Sequence, residues 1–169
     1  MIRPPRAPGP VTVTDEQLMQ QILAFRAQPE NQSPHANFLG LEILDLERGR
    51  GWMRIPYRAD LAGNAGSGVL HGGVITTVLD ATCGLSVISA LARPATIATL
   101  DLRIDYLKPA TPGEAITAAG HCYKVTRNVC FVRAQAYHSD AQDPIAHCAA
   151  SFMITSEKTG IRRDEVETP

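Results

Sequence analysis

NAGSGVLHGGVITTVLDATCGLSVISA, residues 64–90, decides the fold of this chain. A glycine-rich, flexible lead-in reaches His71-Gly72-Gly73 and passes into a run that is apolar or small on nearly every side. The length and composition of His71–Leu91 predict a helix, about 30 Å long at the usual rise. A helix that is apolar all round is buried all round. Gly84 inside it is unfavourable for an isolated helix and suits close backbone approach by a sheet or a partner chain. Asp80 is the only ionisable carboxylate between His71 and Ala90. Burying that anion is costly unless something pairs with it or uses it.

Outward from this helix the pattern is mostly strand. Upstream, Phe38–Glu47 and Trp52–Tyr57 read as a hairpin turning at Gly49 and Gly51. Downstream, Leu100, Leu102, Ile104 and Tyr106 alternate with Thr99, Asp101, Arg103 and Asp105, which predicts a strand over Ala98–Tyr106 with the second set sharing one face. Glu114–Val125, Val129–His138 and Pro144–Thr155 supply three more strands, with turn residues between them. Short connections imply an antiparallel meander. The expected fold is α+β, a five- to six-stranded antiparallel sheet wrapped around the long helix.

Near the N-terminus, Leu18, Ile22 and Phe25 fall at helical spacing within Glu16–Ala27, a helix expected to cover an opening and to end before Pro29. Residues 1–37 thus form a Pro-rich arm and helix, 38–156 the domain, and 157–169 a charged tail expected to be disordered.

Composition narrows the function. Lys plus Arg number 16 and Asp plus Glu 17 among 169 residues, a net charge of −1, so no general attraction to nucleic acid or anionic membrane follows. Cys83, Cys122, Cys130 and Cys148 lack the short paired spacing of zinc ligands and read as buried thiols, so no metal is expected. The first fifteen residues have no apolar core of a signal peptide, and no run reads as a membrane span, Asp80 interrupting the best candidate. A soluble, cytoplasmic protein is expected. Phosphate-cradling, dinucleotide and nucleophile-elbow glycine motifs are all missing.

What remains is a carboxylate and a helix start. The first amides of a helix are unpaired and sit at its positive end. Gly72 and Gly73 lack a Cβ, so a carbonyl can come close to that backbone. A donor there favours a developing oxyanion, and a carboxylate such as Asp80 can activate water or attack a carbonyl itself. Asp80 lies nine residues from His71, roughly 13 Å along the axis, too far to serve the same carbonyl as its own helix start. A homodimer whose two-fold axis sets one chain's helix start beside the other's Asp80 resolves this.

The run Asn64…Gly68-Val69-Leu70-His71-Gly72-Gly73…Asp80, followed by Thr99-Leu-Asp-Leu-Arg-Ile-Asp-Tyr-Leu-Lys-Pro-Ala110, resembles the hotdog-fold acyl-CoA thioesterases of the PaaI-like group, over about Leu39–Thr155. The resemblance implies hydrolysis of an acyl-CoA substrate without a cofactor, at sites that lie at dimer interfaces and draw residues from both chains, with a dimer of dimers expected. It assigns the oxyanion donor to the backbone N–H of Gly72, or of Gly73 if the register differs by one, and the base or nucleophile to Asp80. His71 either touches the thioester, holds Asn64 or the loop, or only closes hydrogen bonds at the helix start. Asn64 matches an Asn that helps place the thioester, although it stands seven residues before His71 where many relatives have six. Thr99 matches a residue that orients the attacking water. Coenzyme A brings phosphates, for which Lys108, Lys124, Arg127 with Asn128, and Arg133 are the candidate contacts. Two rival readings are a hotdog hydratase or dehydratase, and a non-catalytic acyl-CoA-binding protein.

Overall fold

The computed structural model describes residues 33–92 and 95–155, together with positions 17, 20–22, 24, 25, 28 and 31. The Pro-rich segment 1–16 and the charged tail 157–169 lie outside the described residues. Gln17, Gln20–Ile22, Ala24 and Phe25 are helical; Ile22 is buried in the core and Phe25 is exposed, while Leu18, the first residue of the predicted spacing, lies outside the described residues.

Six strands follow: β1 (Glu42–Glu47), β2 (Arg50–Ile55), β3 (Thr96–Tyr106), β4 (Ile116–Val125), β5 (Val129–Tyr137) and β6 (Ala146–Thr155). A short helix (Pro34–Leu39) precedes β1, and the central helix (Gly72–Ala90) separates β2 from β3. The first strand therefore starts at Glu42, not at Phe38. Ser33 caps the short helix by accepting from Ala36 N–H, Pro34 opens it, and Gly40 closes it at φ 68°. Phe38 and Leu39, read from sequence as strand, belong to that last turn.

All strand pairs are antiparallel, in the order β1-β2-β4-β5-β6-β3. The expected meander holds for β4-β5-β6 but not for β3. The central helix crosses the sheet after β2, so the chain re-enters at the far edge and pairs with β6. β3 is consequently an edge strand of eleven residues.

The sheet curves around the central helix because its inner face is mostly small. Gly51, Ala118, Gly120, Cys122, Ala134, Ala136, Cys148 and Ala150 alternate inward with the larger Met53, Ile55, Ile116, Val132 and Phe152. Against them lie Val74, Ile75, Val78, Leu79, Cys83, Leu85 and Val87 of the helix. Each large side chain fully buried here contributes on the order of 1.5–3 kcal/mol. Thr82, Ser86 and Ser89 are buried too, and each hydroxyl donates to a carbonyl one turn back, at 2.6, 2.9 and 3.0 Å. By length and composition alone this nineteen-residue helix is apolar enough to cross a membrane, contrary to the sequence reading. Its burial against the sheet makes it the core helix of the domain.

The closest approach is at Gly120. A Cβ there would stand 2.6 Å from Ser86 Oγ and 3.1 Å from the Thr82 carbonyl oxygen. The hydroxyl can rotate away but the backbone carbonyl cannot. Gly120→Ala is expected to lower stability by about 1–3 kcal/mol, the usual cost of overpacking, read as a reduced midpoint in denaturant at unchanged slope. An unchanged midpoint would show that the helix can shift freely on the sheet.

Candidate active site

Two groups of side chains hold the site residues. The first is the start of the central helix. The 64–70 lead-in is tied down by hydrogen bonds: Gly63 N–H donates to Val69 C=O, His71 N–H to Leu61 C=O, and Tyr57 Oη to Gly68 C=O. Asn64 shapes its tip, where Oδ1 accepts from Gly66 N–H at 2.8 Å and Ser67 N–H at 3.1 Å. The side-chain oxygen of Asn64 thus turns into its own loop.

His71 is the N-cap residue, with φ −60° and ψ 136°. Its Nδ1 accepts from Gly73 N–H at 2.9 Å. A Cβ on Gly73 would lie 2.9 Å from Nδ1, so the cap requires glycine there. Of the alternatives for His71, the geometry displays closure of a hydrogen bond at the helix start. That bond engages the Gly73 amide. Gly72 N–H, the first of the helix, has no intrahelical acceptor.

The second group lies two turns along. Asp80 is half-buried, and its Oδ1 accepts from Thr99 Oγ1 at 2.9 Å. The pairing of β3 with β6 slips between Thr99, opposite Phe152, and Asp101, opposite Ser151. Leu100 is the extra residue of a β-bulge and is 51% exposed. The bulge reverses parity. Thr99 and Ile97 face the central helix before it, and Leu102, Ile104 and Tyr106 face inward after it. Asp101, Arg103 and Asp105 therefore do not share the face of Thr99, as strict alternation predicts. They point outward, where Arg103 and Asp105 pair at 3.0 Å. Bulges of this kind re-aim a side chain, and here the re-aimed residue is the one that touches Asp80.

The two groups stay apart in one chain. Gly72 and Asp80 are eight residues apart in one helix, about 12 Å along its axis. Beside Gly72 opens a cavity of about 350 Å³ lined by Ile75, Tyr106, Leu107, Lys108 and Ala110 among others. Lys108 stands at this end of the sheet with its ammonium paired to the Asp143 carboxylate. Arg127 and Asn128 are exposed at the β4–β5 turn, at the sheet end where Ile154 N–H donates to Asn128 C=O. That end adjoins the C-terminal half of the central helix, so one chain does not bring Arg127 and Asn128 to Gly72. Arg133 stacks over the Tyr123 ring at 5.0 Å.

All four cysteines are buried free thiols. Cys83 Sγ lies 3.9 Å from Cys148 Sγ. That contact, burial and the nearby Asp80 carboxylate push the Cys83 thiol far up, while burial foremost pushes Cys122 up to about 12. Neither is a nucleophile in this state. Among the described residues no three His, Cys, Asp or Glu side chains could hold a metal ion.

Sequence reading missed two contributors. Tyr106 Oη donates to Gly72 C=O at 2.9 Å, and Thr76 Oγ1 lies 2.9 Å from Tyr106 Oη and 3.1 Å from the same carbonyl. A Thr four residues after Gly72 was a visible signal for the second. Nothing local ties Tyr106 to Gly72 across thirty-four positions.

Residues 67–145 match the model of the thioesterase superfamily. The medium/long-chain acyl-CoA thioesterase YigI of Escherichia coli (strain K12) is 31% identical over 134 residues, covering 72% of this chain and 85% of YigI. A putative esterase of Halobacterium salinarum is 43% identical over 77 residues, covering 44% of this chain and 51% of that protein, so the match spans about half its length. The structure of the E. coli PaaI protein from the phenylacetic acid degradation operon superposes with a TM-score of 0.71 at 16% identity, over 84% of this chain and 96% of that one, a likeness of fold.

Proposed function

Because the chain belongs to the thioesterase superfamily, we propose that it hydrolyses acyl-CoA thioesters to the free acid and coenzyme A, at a site assembled from two copies of itself. The fold is the hotdog fold and the enzyme is a thioester hydrolase of PaaI-like type. The observation that carries the finer reading is the contact between Thr99 and Asp80. It orients a carboxylate on the helix face beside the sheet edge, and Oδ2 takes no hydrogen bond from the described residues.

In this reading Asp80 either draws a proton from the water that attacks the thioester carbon and returns it to the sulfur as the C–S bond breaks, or attacks that carbon itself to form a mixed anhydride that water then opens to the acid. Thr99 holds the carboxylate's other oxygen. The carbonyl oxygen lies against Gly72 N–H, for which the described residues offer no acceptor once His71 takes Gly73, and the helix dipole favours the negative charge there. Coenzyme A leaves as the thiol. Asn64 acts through the shape of the loop before His71.

A second copy supplies the missing half. Among the described residues no strand pairs with the outer edge of β3, and an exposed edge is a template for another strand. Two copies of β3 paired antiparallel about a two-fold axis near Leu102 and Arg103 set Thr99 of one chain opposite Tyr106 of the other. That places Asp80 of one chain at the Gly72 end of its partner. The same operation carries Arg127 and Asn128 toward the partner's helix start, where they and Lys108 are placed to meet the phosphates of coenzyme A.

Thiol release from short, medium, long and aryl acyl-CoAs tests the function, and release from at least one class is expected. Enoyl product without thiol would make the protein a hydratase or dehydratase, and binding without either product would make it a carrier.

A further inference from the structure

Two consecutive glycines at a helix start create a physical difficulty. They admit the substrate carbonyl, but glycine is the least constrained residue of the backbone. A donor that wanders must be ordered at the moment of reaction, and a preorganised one need not be. The peptide between Gly72 and Gly73 is held at both ends. Its N–H donates to His71 Nδ1 at 2.9 Å. Its C=O receives Tyr106 Oη at 2.9 Å, with Thr76 Oγ1 2.9 Å from that hydroxyl.

We propose that Tyr106 is a positioning residue for the reaction, clamping the Gly72–Gly73 peptide so that Gly72 N–H points at the substrate oxygen before substrate arrives. This inference rests on the thioesterase reading of the same helix start. The geometry favours it over a packing role. Tyr106 is 51% exposed, so its ring adds little to the core of the chain. Its hydroxyl and ring instead sit over Gly72, where a Cβ would lie 3.4 Å from Oη and 3.6 Å from Cζ. Both hydroxyls donate to Gly72 C=O, Tyr106 at 2.9 Å and Thr76 at 3.1 Å, and they lie 2.9 Å from each other. Tyr106 comes from the end of β3 and Thr99 from its other side of the bulge, so this one strand fixes both halves of the site.

The test is Tyr106→Phe, which keeps the ring and removes the hydroxyl. The kcat for thiol release should fall roughly 5- to 20-fold, as expected for one lost hydrogen bond to the donor turn. KM should stay within about twofold and the unfolding midpoint should hold, because little binding or packing is lost. Thr76→Val should lower kcat in the same direction, and the double variant should be no worse than Tyr106→Phe, since both act on one carbonyl. Amide exchange at Gly73, followed without substrate, should quicken in Tyr106→Phe. A variant with wild-type kcat and unchanged Gly73 exchange overturns the clamp, and so does a loss carried by KM. If the wild-type protein released thiol from no acyl-CoA, the hydrolase reading would fall, and exchange at Gly73 would still decide whether Tyr106 holds the peptide.

Discussion

Asp80→Asn is expected to lose at least about 10²-fold in kcat, the scale of a removed general base, with its thermal unfolding little changed. Asparagine has nearly the shape of aspartate, and its Oδ1 can still accept from Thr99 Oγ1, the 2.9 Å bond of the native pair. The half-buried position asks for no repacking. What disappears is the negative charge and the basicity. Asp80→Ala removes the Thr99 contact as well and should be at least as impaired. Thiol release at saturating acyl-CoA, set beside a melting curve of each variant, makes the comparison. A fully active Asp80→Asn protein would remove the carboxylate from the mechanism, whether as base or as nucleophile.

The second large effect is a recovery. Gly72→Val puts a branched side chain where a single Cβ already lies 3.4 Å from Tyr106 Oη, and so bars a carbonyl from the first amide of the helix. Its activity should fall on the order of 10²-fold, as when an oxyanion donor is lost. Gly72→Val and Asp80→Asn are then each nearly inactive, for different reasons. Mixed dimers hold one site with both defects and one with neither. Random reassortment of equal amounts should therefore restore about a quarter of wild-type activity. The roughly 12 Å between Gly72 and Asp80 along one helix is the reason to expect this. A mixture no more active than its parents, after exchange of subunits is shown, would place the whole site within one chain and end the two-chain proposal.

Much of this molecule is legible in its sequence, for local reasons. The central helix is visible because an apolar run of that length has few other solutions, and its N-terminus because His-Gly-Gly ends a glycine-rich loop. β4, β5 and β6 are visible because each alternates with a period of two and is closed by turn residues. The short helix at Pro34–Leu39 was equally local, with Ser33-Pro34 to start it and Gly40 to stop it. The apolar Phe38 and Leu39 fit a strand as well as a last helical turn, and spacing alone does not separate the two.

The bulge at Leu100 is a different case. Leu100, Leu102, Ile104 and Tyr106 form an unbroken alternation in sequence, and nothing local interrupts it. The interruption comes from the register with β6, which sets Thr99 against Phe152 and Asp101 against Ser151. The position of β3 at the far edge has the same origin, since it follows from the path of the helix across the sheet. The sequence by itself determined the residue types of the candidate site, a carboxylate in an apolar helix and two glycines at its start, because the cost of burying a charge and the steric freedom of glycine are properties of single residues. Tertiary structure alone decided that Thr99 meets Asp80, that His71 takes Gly73 and leaves Gly72, and that Tyr106 closes on the first turn, because each of those contacts depends on strand register and on which groups compete for one hydrogen bond.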